Sequence, residues 1–230
     1  MSKRPWIQAA IDVTDIELAK KIAFMALDNG AEWLEVGTPL LYQYGHSAIK
    51  MIREAVGRNA VLVADYKAPF ALLAAEQASR AGADYIMLFT TYYDFLIEHS
   101  IKTCEKYDIQ PIFDLEVKQE DLPSCIEKVR SKGGKYIITR HYSIFGDSIS
   151  NLTKSDNFPL FEKDRDYYLG ITSDNLVDAV DASRWGVDWV TFGLILRKPD
   201  EATCRTWIDS IHEASLPKEK EYYASTEKFL

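Results

Sequence analysis

The chain has 230 residues, of which 47% are hydrophobic and 27% are charged, and its formal net charge at pH 7 is −8. This length and composition fit one globular domain with a large core. The acidic balance argues against nucleic acid or an anionic membrane as a partner, because both need a concentrated positive surface, and it favours a small-molecule partner.

The cysteines and the N-terminal residues predict the compartment. Cys104, Cys125 and Cys204 are odd in number and widely spaced, so they give no zinc or redox motif and suit a reducing compartment as packing residues. Residues 1–5 lead into a short apolar strand rather than a signal-peptide core, and no apolar run approaches membrane-spanning length. We therefore expect a cytoplasmic protein.

Short apolar runs bounded by turn residues alternate along the chain with stretches of helical period. The predicted strands are residues 6–11, 33–36, 60–64, 85–89, 110–115, 136–139, 167–171 and 189–192. The clearest predicted helices are residues 16–27 and 71–81. Glycines such as Gly30, Gly82 and Gly186 stand where helices are expected to end, just before the next strand.

This alternation is typical of either an open doubly wound sheet or a closed (β/α)8 barrel. Eight strands favour the barrel, and residues 11–15 lack the glycine-rich turn that a dinucleotide-binding sheet needs after its first strand. We predict an α/β fold, a single-domain (β/α)8 TIM barrel over residues 1–216, with a charged C-terminal tail over residues 217–230. Residues 142–165 are predicted to form a long polar connection or lid.

Reactive side chains gather at the carboxyl ends of the predicted strands, where TIM barrels place their active sites. These positions hold Asp12, Glu35, Asp65, Lys67, Asp114, Glu116, Arg140 and His141. This clustering favours a catalytic site at that end of the barrel.

The segment of residues 61–67 is the most informative part of this set. An apolar strand delivers Asp65 and, two residues later, Lys67, which face the same way. Glu35 ends the preceding strand. If these strands are parallel neighbours, Glu35 and Asp65 can share a divalent cation while Lys67 stabilises an oxyanion. The alternative is an ordinary surface ion pair, which contributes little.

Four motifs occur in order at residues 10–12 (Ala-Ile-Asp), 34–39 (Leu-Glu-Val-Gly-Thr-Pro), 45–49 (Gly-His-Ser-Ala-Ile) and 64–67 (Ala-Asp-Tyr-Lys). Together they resemble the orotidine 5'-monophosphate decarboxylase suprafamily, nearest to 3-hexulose-6-phosphate synthase and 3-keto-L-gulonate 6-phosphate decarboxylase. The resemblance implies a (β/α)8 barrel that forms a homodimer with active sites at the interface, and Mg2+ held by Glu35 and Asp65.

The resemblance also implies a mechanism and a catalytic set. In these relatives the metal and a lysine, matched by Lys67, stabilise an enediolate formed by loss of carbon dioxide or by deprotonation. The enediolate then takes a proton or adds to an aldehyde. A histidine and an arginine after the sixth strand guide protonation, and Arg140 and His141 stand there in tandem. The predicted catalytic residues are therefore Lys67, Asp65, His141 and Arg140.

The sequence departs from the family at its phosphate grip, a Gly-Gly turn after strand seven and a Gly-Arg pair after strand eight. Gly170 and Gly193 remain, but one glycine is missing and Leu194 stands in place of the arginine. Arg197 is a candidate replacement, and a solvated arginine at a helix start is the alternative. The predicted substrate-binding residues are Asp12, Asp114, Gly170, Gly193 and Arg197.

A second departure is Phe70, where the family has an aspartate that crosses the dimer interface. Its loss removes a charge and a proton-handling group, so the reaction or the polar end of the substrate is expected to differ. The alternative is that Phe70 only packs.

These observations predict a magnesium-dependent carbon–carbon lyase, a decarboxylase or aldolase, that acts on a sugar phosphate or related sugar acid through an enediolate. The expected partners are that small molecule and a second copy of the chain. Two alternatives stay open. One is a non-catalytic barrel that acts as a binding or assembly protein, and the other is a lyase for a non-phosphorylated polar substrate.

Overall fold

A computed structural model describes residues 4–67, 71–89, 94–115, 121–140 and 165–215. In this part of the chain, eight parallel strands close into a barrel in sequence order, and β8 pairs back onto β1. The predicted TIM barrel is therefore confirmed. The strands are β1 Trp6–Ile11, β2 Trp33–Val36, β3 Val61–Asp65, β4 Tyr85–Leu88, β5 Gln110–Leu115, β6 Tyr136–Arg140, β7 Tyr168–Thr172 and β8 Trp189–Phe192.

The described helices surround this sheet. They are α1 Ile16–Asp28, α2 Thr38–Tyr44, α3 His46–Val56, α4 Ala75–Ala81, α5 Asp94–Lys106, α6 Leu122–Ser131, α7 Leu176–Trp185 and α8 Glu201–Ala214, with short 3-10 helices at Ala71–Ala74 and Leu194–Arg197. The helix predicted over residues 71–81 differs in its first turn, which is wound more tightly, as is common at helix starts. None of the helices described has both the length and the apolar character needed to cross a membrane.

Alternation along each strand divides the core into an outer and an inner part. Ile7, Ala9 and Ile11 of β1 are fully buried in the cluster that joins the strands to the helices. The residues between them face the barrel interior, because successive strand residues point to opposite sides. An inner cluster fills the middle of the barrel with Val63, Met87, Ile112, Ile138 and Trp189, all completely buried. The barrel is thus packed rather than hollow, as expected for this fold.

Five aromatic side chains form a closed circle, the aromatic ring, at the N-terminal end of the barrel. Trp6, Trp33, Tyr85, Tyr136 and Tyr168 are the first residues of five strands. Each contacts the next around the ring, with centroids 4.7 to 5.8 Å apart, and Tyr168 contacts Trp6 again. Aromatic pairs at such distances stabilise a structure beyond the area they bury, by roughly 0.5–1.5 kcal/mol each. This end is therefore a stabilising layer.

Three carboxylates tie strands together beside this aromatic ring. Each is the residue immediately before an even-numbered strand, accepts a hydrogen bond from the amide of the second residue of the preceding strand, and pairs with an arginine. Such charge-assisted bonds are stronger than neutral ones and fix the strand register. The sets are Glu32 with Ile7 (2.8 Å) and Arg4, Asp84 with Leu62 (2.7 Å) and Arg53, and Asp188 with Leu169 (2.8 Å) and Arg165.

Gly170 lies in the middle of β7, directly beside Trp189 of β8. A Cβ atom added to Gly170 would lie 2.0 Å from Cε2 of Trp189. The indole of Trp189 is completely buried and packs in the inner cluster. The absence of a side chain at Gly170 therefore makes room for the largest residue of the inner cluster.

We predict that Gly170→Ala lowers the free energy of unfolding by about 1–3 kcal/mol, because the added methyl group overpacks the barrel against Trp189. Urea denaturation followed by circular dichroism measures this loss. In a Trp189→Leu background the same change should cost much less. Equal losses in both backgrounds would contradict a packing role for Gly170.

Candidate active site

Polar side chains replace apolar ones at the C-terminal end of the barrel interior. Glu35, Asp65 and Asp114 each follow an interior apolar residue of the same strand by two positions, so they face the interior one step nearer the mouth. All three carboxylates are buried, at 3%, 0% and 0% exposure. Burying a carboxylate without a partner is costly, so this arrangement indicates a site rather than a core.

Asp65 is held by a lysine and a threonine. The Lys67 ammonium contacts Oδ2 of Asp65 in an ion pair, and Thr38 Oγ1 lies 3.2 Å from the same oxygen and 3.0 Å from the Asp65 carbonyl oxygen. Lys67 has a φ angle of +46°, in the left-handed region that a lysine rarely adopts. Strained backbone of this kind clusters at functional sites. The pair thus joins a completely buried carboxylate to a partly exposed lysine in a strained turn, unlike a surface ion pair.

Glu35 lies on the adjacent strand and has its own hydrogen-bond donor. The register pairs β2 with β3 in parallel, as the sequence argument required. Gln8 of β1 is completely buried and donates from Nε2 to Glu35 Oε2 at 2.6 Å. Among the described residues, Gln8 Oε1 has no hydrogen-bond partner. Gln8 therefore fixes the orientation of the Glu35 carboxylate and leaves an acceptor in the site.

The chemistry of the Glu35 and Asp65 carboxylates fits a magnesium ion. Mg2+ in enzymes is held by one or two carboxylates, with water and substrate oxygens completing an octahedron. In the ranges that the structure describes, no group of three or more His, Cys, Asp and Glu side chains could hold a metal. A cation at Glu35 and Asp65 would thus depend on water and substrate for its remaining ligands.

Asp12, directly after β1, lies close to Gly37 after β2 and to Gly193 after β8. A Cβ atom added to Gly37 would lie 2.3 Å from Asp12 Oδ1, and one added to Gly193 would lie 3.3 Å from Oδ2. Arg197 Nη2 is 4.0 Å from Asp12 Oδ2. Asp12 and Arg197, both predicted to bind substrate, are thus neighbours at the mouth.

The loops after β7 and β8 meet at Gly193. Asp174, two residues beyond β7, accepts hydrogen bonds from the Leu194 amide at 2.8 Å and the Gly193 amide at 3.3 Å. Gly193 therefore lies at the mouth, as predicted, but its amide already has an internal partner. Gly170 lies deeper, beside Trp189.

Tyr66 anchors the turn between Asp65 and Lys67 from the outside. Burial raises the pKa of the Tyr66 phenol above its ordinary value. The phenol forms a short hydrogen bond with Nδ1 of His46, the first residue of α3. This contact holds the end of β3 against the helix layer.

Several predicted site residues lie outside the part that the structure describes. These are His141, Glu116, Phe70 and the side chain of Arg140; the backbone of Arg140 ends β6. The predicted lid, except Arg165, and the C-terminal tail lie outside it as well. Their predicted roles stay predictions.

Three site residues were missed by the sequence argument. Gln8 had a recognisable signal, because it is the single polar residue in the apolar strand of residues 6–11. Thr38 stands in the Gly-Thr-Pro turn, but its hydrogen bond to Asp65 joins residues that are 27 positions apart in the sequence. Asp174 gave no signal beyond its place in a polar turn, since its partners belong to another strand end.

The chain resembles curated proteins over part of its length. It is 30% identical to the bifunctional enzyme Fae/Hps of Methanosphaerula palustris over 128 residues, which is 55% of this chain and 31% of that protein. It is 29% identical to 3-hexulose-6-phosphate synthase of Mycobacterium gastri over 132 residues, 57% of this chain and 62% of that protein. The chain thus matches less than two thirds of the length of these relatives. No protein-family model matches it.

Solved structures share the fold over nearly the whole chain. The 3-hexulose-6-phosphate synthase of Salmonella typhimurium has a TM-score of 0.77 at 20% identity, covering 91% of this chain and 98% of that one. The 3-keto-L-gulonate-6-phosphate decarboxylase of Vibrio cholerae has a TM-score of 0.70 at 18% identity, covering 94% and 100%.

The fold is a (β/α)8 barrel, and its buried polar groups lie at the C-terminal mouth, where enzymes with this fold have their active sites. The solved structures that share the fold also include an orotidine 5'-phosphate decarboxylase from Pyrococcus horikoshii, with a TM-score of 0.66 at 21% identity. The sequence matches name 3-hexulose-6-phosphate synthase. The predicted resemblance to the orotidine 5'-monophosphate decarboxylase suprafamily, near 3-hexulose-6-phosphate synthase and 3-keto-L-gulonate 6-phosphate decarboxylase, is thus confirmed.

Proposed function

We propose that the chain is a carbon–carbon lyase, a decarboxylase or aldolase, that acts on a sugar phosphate or a related sugar acid through an enediolate. The observation that supports this most is the ion pair between the buried Asp65 and the partly exposed Lys67 at the end of β3, beside Glu35 on β2. The names of the related proteins, a synthase and a decarboxylase of sugar phosphates, support the same reaction class.

In this mechanism Lys67 is the electrostatic catalyst. When the substrate loses carbon dioxide or a proton next to its carbonyl group, the electron pair left on carbon delocalises onto oxygen and forms the enediolate. The Lys67 ammonium donates a hydrogen bond to that oxygen, and Asp65 and Thr38 keep Lys67 and its turn in place. The enediolate carbon then takes a proton, or it forms a bond to an aldehyde carbon while the π electrons of the aldehyde move to its oxygen, which takes a proton.

We include Mg2+ in the proposal, with Glu35 and Asp65 as its protein ligands. When bound, the ion would supply a Lewis acid that polarises the substrate oxygens. Gln8 orients Glu35 for this role through its 2.6 Å hydrogen bond.

Turnover of a panel of sugar phosphates and the corresponding sugar acids, assayed with Mg2+ for released carbon dioxide or consumed aldehyde, tests the function. Turnover of any member that is lost in Lys67→Ala supports the lyase. Binding without turnover across the panel would favour the non-catalytic barrel instead.

We predict that Asp65→Asn weakens Mg2+ binding at least about tenfold, because it removes one of two ligand charges. Isothermal titration calorimetry measures the affinity, and circular dichroism confirms folding. Asp181→Asn, at a partly exposed carboxylate paired with Arg184 on α7, is the control and should bind Mg2+ like the unchanged chain. Unaltered affinity in Asp65→Asn would remove this carboxylate from the metal site.

We predict that Lys67→Ala lowers kcat by about 10²–10³ and changes KM much less, because the lysine acts on charge that develops only in the transition state. Steady-state kinetics on the substrate found in the panel measures both constants. Lys50→Ala, at an exposed lysine of α3, should leave both unchanged. A rise in KM with kcat preserved would make Lys67 a simple binding residue.

We further propose a homodimer whose interface includes the 3-10 helix Ala71–Ala74. Leu73 of this helix is 75% exposed, although Leu72 beside it is buried. Large exposed apolar side chains are enriched where proteins associate. The preceding residues 68–70, which are part of the predicted interface, lie outside the described chain.

Leu73→Asp should therefore shift the chain from dimer to monomer in sedimentation velocity runs at low micromolar concentration. Val177→Asp, at an equally apolar and 66% exposed position on α7, provides the matched control and should stay dimeric. A chain that is already monomeric without substitution would refute the interface.

A further inference from the structure

The junction between β7 and β8 is built like an anion-binding site of a TIM barrel. Such barrels commonly bind phosphate where the loops after strands seven and eight meet the start of a short extra helix. Here the 3-10 helix Leu194–Arg197 follows β8, and the amides of Gly193 and Leu194 both point at one carboxylate oxygen. Two convergent amides of this kind are suited to one anion.

That anion is part of the chain itself. Asp174 Oδ1 accepts both amides, at 2.8 and 3.3 Å. The turn that carries Asp174 is fixed, because the Ser173 amide donates to the Thr191 carbonyl of β8 at 2.9 Å, and Ser173 Oγ lies 3.1 Å from the Asn175 carbonyl. The Asn175 side chain then caps α7. The two neighbours of Asp174, Ser173 and Asn175, are therefore both fixed by hydrogen bonds.

A second carboxylate, that of Asp12, also lies near Gly193. Asp12 Oδ2 lies 3.3 Å from the position that a Gly193 Cβ would take, and its neighbouring guanidinium, Arg197, is 4.0 Å away. A phosphate monoester placed against these amides would meet the charges of Asp12 and Asp174 at short range. Like charges at such distances repel.

We infer that Asp174 is a specificity-determining residue that fills the anion position at the end of β8, so that the site accepts a hydroxylated substrate end without phosphate. This inference rests on the proposed function and narrows it to the unphosphorylated sugar acids. Hydroxyl groups can donate hydrogen bonds to Asp12 and Asp174, whereas a phosphate dianion has no proton to donate. The chain thus selects its substrate with carboxylates.

The test compares D-ribulose 5-phosphate, D-ribulose and inorganic phosphate by calorimetry on the full chain with Mg2+, using Asp174→Ala and Asp174→Asn. We expect Asp174→Ala to bind inorganic phosphate and D-ribulose 5-phosphate at least about tenfold more tightly than the unchanged chain, with little change for D-ribulose. Asp174→Asn should gain less, because its amide oxygen still accepts the two backbone hydrogen bonds.

Asp200→Ala is the matched control, because Asp200 also accepts a backbone amide, that of Thr203 at the start of α8. It should lose a similar cap without gaining phosphate affinity. No gain in either Asp174 variant, or tighter binding of D-ribulose 5-phosphate than of D-ribulose by the unchanged chain, would overturn the inference. Because the measurement is of binding, it stands even if no lyase activity is found, and so separates failure of this inference from failure of the proposed function.

Discussion

Pairing of β8 with β1 is the constraint on which the rest of this structure depends. Once the sheet closes, every second residue of each strand must enter a space of fixed width, and the sequence fills that space in three kinds of layer. Aromatic rings occupy the N-terminal end, apolar side chains and Trp189 the middle, and carboxylates the C-terminal end. The same closure that buries the first two layers also forces the carboxylates together.

The buried carboxylates at the C-terminal end destabilise the fold locally, and the other two layers offset this cost. Asp65 is completely buried, and Lys67 keeps a left-handed backbone to reach it. A buried ion pair often gains less from attraction than it loses in hydration, and the strain adds roughly 1–3 kcal/mol. The arginine-paired carboxylates and stacked rings supply stability at the end opposite the candidate site. The stabilising contacts and the buried carboxylates thus lie at opposite ends of the same strands.

Much of this architecture could be predicted from residue order alone. Apolar period and turn glycines located all eight strands to within one residue, because strand existence depends on local pattern. The contacts of Glu32, Asp84 and Asp188 could not be predicted, although each follows a turn recognised in the sequence, because each joins two strands about 20 residues apart. The packing role of Gly170 could not be predicted from the sequence either. Its place in a family motif suggested substrate binding, and only the register with β8 shows the indole beside it.

The aromatic ring has a consequence for how this protein can be observed. Three of the five tryptophans, Trp6, Trp33 and Trp189, belong to one stacked cluster that runs from the N-terminal end of the barrel into its middle, while Trp185 and Trp207 lie on outer helices. None of them is among the polar residues of the mouth. Intrinsic fluorescence will therefore report whether the barrel is closed and remain nearly silent when a ligand enters. A spectroscopic signal for binding has to be introduced at the other end of the strands.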